Sequence, residues 1–214
     1  DMDAFSVNTV SIGDVNNQSV ALNDATADDT YAITSSNTNG TGTVITLKTD
    51  TDSDSSSLAL GASAAGVTLD QVTAQNFETL TITSTGGANT ITDLTATDLT
   101  SLTVNATTAF TITNAITSAT ALATVDASGS AAAVDVDSTN STTAMTMTGG
   151  AGGDTLAGGS GNDTISGGAG ADTLSSNGGV NTFNGGAGGD TITDTTGAST
   201  INGGDGNDGI TPGS

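Results

Sequence analysis

Asp154, Asp163 and Asp172 stand nine residues apart, each five residues after the start of a glycine pair at Gly149, Gly158 and Gly167. Carboxylates beside glycine-rich backbone are the donors of a hard cation. Calcium takes about six to eight oxygens, some from carboxylate and some from carbonyl. Proton-transfer chemistry is poorly served by comparison. The chain has no His and no Cys, so it lacks the usual bases and nucleophiles. Paired aspartates can act as acid and base, but these sit in turns that already have a use. No enzymatic activity is expected. The missing Cys also removes disulfides and thiolate metal sites.

The whole composition asks for a cation. The 214 residues carry 23 acidic side chains and one basic one, Lys48, for a net charge of −22. Glu78 is the only glutamate. Such a charge repels itself in a compact state. Either the chain is disordered, which low aromatic content and high net charge favour, or a cation joins the fold. The strict placement of apolar residues favours the second. A nucleic-acid partner is excluded, because phosphate binding needs a basic surface. No membrane insertion is expected, since no apolar run approaches the ~20 residues of a spanning helix.

The elements that position the aspartates follow from their register. Seven contiguous nine-residue units begin at Gly149, Gly158, Gly167, Ser176, Gly185, Asp194 and Gly203 and end at Thr211. Their eighth residues are Leu156, Ile165, Leu174, Phe183, Ile192, Ile201 and Ile210, all large and apolar. A flexible Gly/Ser/Asp linker has no need of that spine. The last three residues of each unit read as a short strand with its middle side chain turned inward. The six before it turn the chain, and glycine supplies the backbone freedom.

The unit G-G-x-G-x-D-x-U-x, with U apolar, resembles the RTX calcium-binding repeat of secreted proteins over these 63 residues. Five units match it at both opening glycines and the aspartate. The resemblance implies a parallel β-roll of 18-residue coils, with Ca2+ between each unit and the unit two further on. It also implies the ligands: the second and fourth carbonyls and the Asp of one turn, then the first and third carbonyls and the Asp of the next. Three complete sites result on one edge. The first takes Gly150, Gly152 and Asp154 with Gly167, Ala169 and Asp172. The second takes Gly168, Gly170 and Asp172 with Gly185, Ala187 and Asp190. The third takes Gly186, Gly188 and Asp190 with Gly203, Asp205 and Asp208. The other edge carries Asp163, Asn181 and Ser199 at the sixth position. One weakened site is expected there, from Gly159, Gly161 and Asp163 with Asn181, and the pair Asn181–Ser199 is expected empty. The prediction is one calcium-loaded edge and one largely dry one, with folding linked to calcium.

Upstream of Gly149 a longer period replaces the glycine repeat. Leu58 and Leu60, Leu80 and Ile82, Leu102 and Val104, Val125, and Met145 and Met147 recur in steps of 22, 22, 21 and 22 residues. A second set runs through Ile91, Ile112, and Val134 with Val136 toward Leu156. The expected fold is all-β: a parallel right-handed β-solenoid of ~22-residue coils passing into the 18-residue β-roll. A β-sandwich is the alternative. Three regions follow: 1–57, a short-strand cap or early coils; 58–148, a Thr/Ala-rich solenoid; and 149–211, the calcium-binding roll. The stretch Thr68 to Leu80 is the one place for a helical turn. "SSNTNGTG" reads as a hairpin loop. Asp50, Asp52 and Asp54 resemble the start of an EF-hand loop, but Ser55 and Gly61 occupy the sixth and twelfth positions. They read as a solvated turn.

Composition and architecture together resemble bacterial surface-layer proteins of the Caulobacter type. That resemblance implies an extracellular, cell-surface structural protein whose calcium drives both folding and self-assembly into a homo-oligomeric lattice or filament, exported by type I secretion. The alternative is a spacer or ligand-binding module of a large RTX adhesin. Ice binding by threonine ranks is a further reading. The matching positions Thr81, Thr103, Thr124 and Thr146 have neighbours that vary among Thr83, Asn105, Asp126 and Thr148, which argues against it.

Overall fold

The computed structural model describes residues 9–12, 19–23, 29–33, 44–48, 55–61, 66–196 and 198–213, the first four segments by their backbone. Among these residues there are only strands. In chain order they are β1 (Thr9–Ile12), β2 (Ser19–Asn23), β3 (Asp29–Ile33), β4 (Val44–Lys48), β5 (Ser55–Leu60), β6 (Thr68–Gln75), β7 (Thr79–Ser84), β8 (Asn89–Ala96), β9 (Ser101–Ala106) and β10 (Phe110–Ile112). There follow β11 (Thr124–Asp126), β12 (Val134–Asp137), β13 (Thr146–Thr148), β14 (Thr155–Gly158), β15 (Thr164–Ala169), β16 (Thr173–Ser176), β17 (Thr182–Ala187), β18 (Thr191–Asp194), β19 (Thr200–Asp205) and β20 (Gly209–Thr211).

The odd-numbered strands form one ten-stranded sheet and the even-numbered strands another, each in chain order and parallel throughout. A chain that visits two sheets alternately, pairing each strand with the one two further on, is a β-solenoid. The β-sandwich alternative falls with this order. So does the hairpin at "SSNTNGTG": β3 pairs β1 and β5, whereas β4 pairs β2 and β6. The suggested helical turn in Thr68 to Leu80 is strand β6, a turn at Asn76 and the start of β7. Leu69, Val72 and Ala74 on its inner face hold it in the sheet. Asp50, Asp52 and Asp54 lie outside the described residues.

The core runs along the axis between the sheets. Most upstream strands contribute two or more inward side chains, such as Leu58 and Leu60 on β5 or Leu102 and Val104 on β9, whereas β11 and β13 contribute Val125 and Met147 alone. In the roll each strand contributes one large apolar side chain. Leu156, Ile165, Leu174, Phe183 and Ile192 are fully buried. Ile201 is partly buried and Ile210 is exposed, because β19 and β20 are the last strands of their sheets.

The coil length shortens at the entry to the roll, directly in one sheet and through an intermediate length in the other. Val125 pairs Met147 at 22 residues, and Met147 pairs Ile165 at 18. In the other sheet Val136 pairs Leu156 at 20, and Leu156 pairs Leu174 at 18. Two upstream registers differ from the expected steps. Leu58 pairs Ile82 rather than Leu80, and Val125 pairs Leu102 rather than Val104. A two-residue shift keeps every inward side chain inward, so hydrophobic pattern cannot resolve it. The second shift also places Asp126 beside Thr103, and Asn184 and Asn202 continue down the sheet from Ser166, so that outer face is not a paired threonine array.

Candidate metal centre

The two corners of each coil differ in chemistry. The chain passes from the odd sheet to the even sheet through the turns that end in Asp154, Asp172, Asp190 and Asp208. It returns through the turns that end in Asp163, Asn181 and Ser199.

At the first corner the sixth residue has two jobs, one per oxygen. Oδ1 accepts a hydrogen bond from the backbone N–H one coil earlier. Val134 donates to Asp154 at 2.8 Å, Asp154 to Asp172 at 2.7 Å, Asp172 to Asp190 at 2.9 Å and Asp190 to Asp208 at 2.9 Å. These bonds satisfy backbone that the turn leaves without a sheet partner. Oδ2 points into the turn. In Asp172 and Asp190 it is buried and has no hydrogen-bond partner. A buried, unpartnered carboxylate oxygen is costly unless a positive charge meets it. Asp154 differs, because the Gly150 N–H donates to its Oδ2 at 2.6 Å.

Backbone carbonyls converge on those oxygens. A side chain at Gly167 would collide with Asp172 Oδ2 and approach the Gly185 carbonyl oxygen to 2.6 Å. The same two contacts recur at Gly149, with Asp154 and Gly167, and at Gly185, with Asp190 and Gly203. The first carbonyl of each turn therefore lies beside the carboxylate of the turn above. The carbonyls of Gly150, Gly152, Gly168, Gly170, Gly186 and Gly188 are directed along the stack, each at the equivalent residue of the next coil. Close stacking is possible because Gly186 and Gly188 hold φ of 110° and 141°, which L side chains rarely adopt. Gly168 and Gly170 share this conformation at 108° and 121°, whereas Gly150 and Gly152 in the first turn do not. The carbonyls of Ala187 and Asp205 accept from Gly170 and Gly188 N–H at 2.7 Å each, leaving a second lone pair free. Ala169 lies in register with Ala187.

This donor set fits calcium. Among the described residues no group of three or more acidic side chains could hold a metal by itself. Paired carboxylates with converging carbonyls are the alternative, and they supply both charge and number. The electrostatics agree. Burial pushes the Asp172 carboxyl up to about 6, the Asp154 N–H opposes this, and the neighbouring Asp154 and Asp190 charges add to the rise. Burial also pushes Asp154 up, against the Gly150 and Val134 N–H groups.

The second corner is closed by side chains instead. Asp163 Oδ1 accepts from Met145 N–H at 2.9 Å, and Asn181 Oδ1 from Asp163 N–H at 2.8 Å. Ser199 Oγ accepts from Asn181 N–H at 2.8 Å. The inward positions beside Asp163 and Asn181 are filled, whereas Asp194 Oδ2 is buried without a partner. Asp163 Oδ2 accepts from the buried Ser176 hydroxyl at 2.9 Å. Asn181 Nδ2 donates to the Gly178 carbonyl at 2.9 Å and faces Asp194 Oδ1 at 3.4 Å. Gly159 and Gly161 pack against the Ser141 and Thr143 carbonyls of the coil above. Ser176 and Asp194 open their units where the other units have glycine. That departure was the available signal, and attention to the sixth position alone passed over it.

Residues 148–183 and 184–214 match the model of the RTX calcium-binding nonapeptide repeat, which holds four copies of the unit. These repeats bind Ca2+, and this stretch is a calcium-binding structural module. No curated protein and no solved structure matches the chain.

Proposed function

We propose that this chain is an extracellular, calcium-dependent structural protein, a subunit or part of a surface lattice, in which calcium drives folding and then assembly. One observation carries the reading: the unpartnered, buried Oδ2 atoms of Asp172 and Asp190 on a single edge, each beside a carbonyl of the next coil. Ions there lie between Asp154 and Asp172, Asp172 and Asp190, and Asp190 and Asp208, held by the ligands the resemblance implies. Bound calcium supplies the positive charge that those oxygens lack. Gly185 and Gly203 present their carbonyls to it, and Oδ1 of each aspartate fixes the carboxylate by its backbone bond.

Calcium-linked folding is supported by the thin core, one large apolar side chain per strand, set against a net charge of −22. Such a fold suits a compartment rich in calcium, outside the cell. The acidic surface supports assembly through shared ions, and no catalytic role is assigned. Circular dichroism with light scattering during a calcium titration, with magnesium as control, tests this. A gain in strand signal and large assemblies, both requiring calcium, support the lattice. Strand signal already complete in chelator overturns calcium-linked folding. The second reading, a spacer of a large adhesin, is favoured by the uninterrupted parallel stacking of two sheets. Calcium-dependent folding without assembly selects it.

A further inference from the structure

We infer that Ser176 is the residue that keeps calcium out of the second corner, because its hydroxyl stands where the cation would. The inference rests on the calcium reading of the first corner. In the loaded arrangement a cation between two turns meets the second carbonyl and the carboxylate of one turn and the third carbonyl of the next. For the turns ending in Asp163 and Asn181 these are the Gly159 carbonyl, Asp163 Oδ2 and the Gly178 carbonyl. The Ser176 Oγ lies 3.0 Å from the first, 2.9 Å from the second and 3.3 Å from the third. A hydroxyl donor thus occupies the centre of a calcium donor set, and the side chain is 1% exposed.

The contrast with the Asp172 and Asp190 turns of the first corner supports this. The residues equivalent to Ser176 there are Gly167, Gly185 and Gly203, whose carbonyls lie beside Asp154, Asp172 and Asp190 of the coil above and whose missing side chains would meet Asp172, Asp190 and Asp208 of their own turns. With glycine at that place, Asp172 and Asp190 keep a buried oxygen without partner. With serine there, the Ser176 hydroxyl occupies Asp163 Oδ2, and the Gly159 N–H also reaches that carboxylate. The change from Asp to Asn at position 181 is then secondary. Its Oδ1 still holds the Asp163 N–H, as aspartate does elsewhere.

The two explanations for an ion-free corner predict opposite variants. If Ser176 is the block, Ser176→Gly gains one bound calcium per chain and Asn181→Asp gains none. If loss of the carboxylate is the cause, the reverse holds. Equilibrium dialysis of the full chain with elemental analysis reads the count, and far-UV circular dichroism verifies the fold. An unchanged count in folded Ser176→Gly overturns the inference, as does an ion gained by Asn181→Asp with Ser176 in place. Anomalous diffraction from wild-type crystals grown in calcium needs no variant: an ion within coordinating distance of Asp163 overturns it, and ions on the opposite edge alone support it. A wild-type chain that binds no calcium at all sinks the underlying reading instead.

Discussion

Asn89 and Asp172 hold the same corner of the solenoid, four even-numbered strands apart, and each accepts a hydrogen bond at 2.7 Å from a backbone N–H one coil earlier, Val67 for one and Asp154 for the other. Their second atoms part company. Asn89 Nδ2 donates toward the Leu60 and Thr85 carbonyls and to Ser84 Oγ. Asp172 Oδ2 has no partner. A long coil closes its corner with an amide, and a short coil leaves an acceptor that calls for a cation.

Asn89→Asp should therefore weaken the upstream solenoid. The acceptor for Val67 remains, but the donors toward Leu60 and Thr85 are lost. Stability in chelator should fall by roughly 2 kcal/mol, the scale of buried polar groups left unpaired. Thermal unfolding checks this, and an unchanged midpoint would show that the amide donors contribute nothing.

Asp172→Asn should raise the calcium needed for half-folding by roughly ten- to a hundredfold, as for loss of a charged interaction. Asp208→Asn should do less, because Asp172 faces turns on both sides and Asp208 is in the last. Dichroism-monitored calcium titrations compare them. Equal midpoints for wild type and Asp172→Asn would leave its Oδ2 without an ion to serve.

Acidity should act in opposite senses with and without calcium. The Asp172 carboxyl is raised from 3.8 to about 6 by burial, so the ion-free fold favours its protonated form. Its contribution to stability is complete below the unfolded value and is lost as pH rises through about 6. Calcium needs the deprotonated form, so affinity should fall as pH drops through the same range. Strand signal in chelator, expected to rise on mild acidification, and calcium titrations, both from pH 7.5 to pH 5, read the two trends. An ion-free chain that loses stability on mild acidification would contradict the first.

Gly188→Ala should disrupt the roll. The position has φ of 141°, and the added Cβ would overlap the Gly170 carbonyl. A strained backbone of this kind costs about 1–3 kcal/mol before the collision is counted. Gly209→Ala, where the nearest atom is 3.9 Å away, should change stability by less than about 0.5 kcal/mol. Calcium-saturated melting temperatures of the pair decide, and equal values would rule out a special conformation at Gly188.

The nine-residue units were legible because each carries one apolar residue at a fixed place. A slip of one or two residues would have put small or polar residues in the core, and the pairs Leu156–Leu174 and Ile165–Phe183 follow the register as read. Upstream the pattern is degenerate. Leu80 and Ile82 both point inward, so Leu58 can face either, and loop length decides in favour of Ile82. The turn-rich "SSNTNGTG" has hairpin chemistry, but parallel pairing of β3 and β4 to different neighbours overrides it. Ser176 escaped notice for another reason. Its role depends on what stands one coil above it, which a motif read along the chain does not record.

If ions fill one corner as proposed, with side-chain hydrogen bonds along the other, the roll is fastened by two unlike seams. Chelation undoes only the first. The rungs are then free to splay about the line from Asp163 to Ser199, as pages open about a spine. In the proposed ligand set each of Asp172 and Asp190 serves two neighbouring ions, so release of one would uncover a carboxylate that the next also uses. Opening at one rung thereby loosens its neighbour, and a stack of repeated parts comes undone as a run, over a narrow span of calcium concentration.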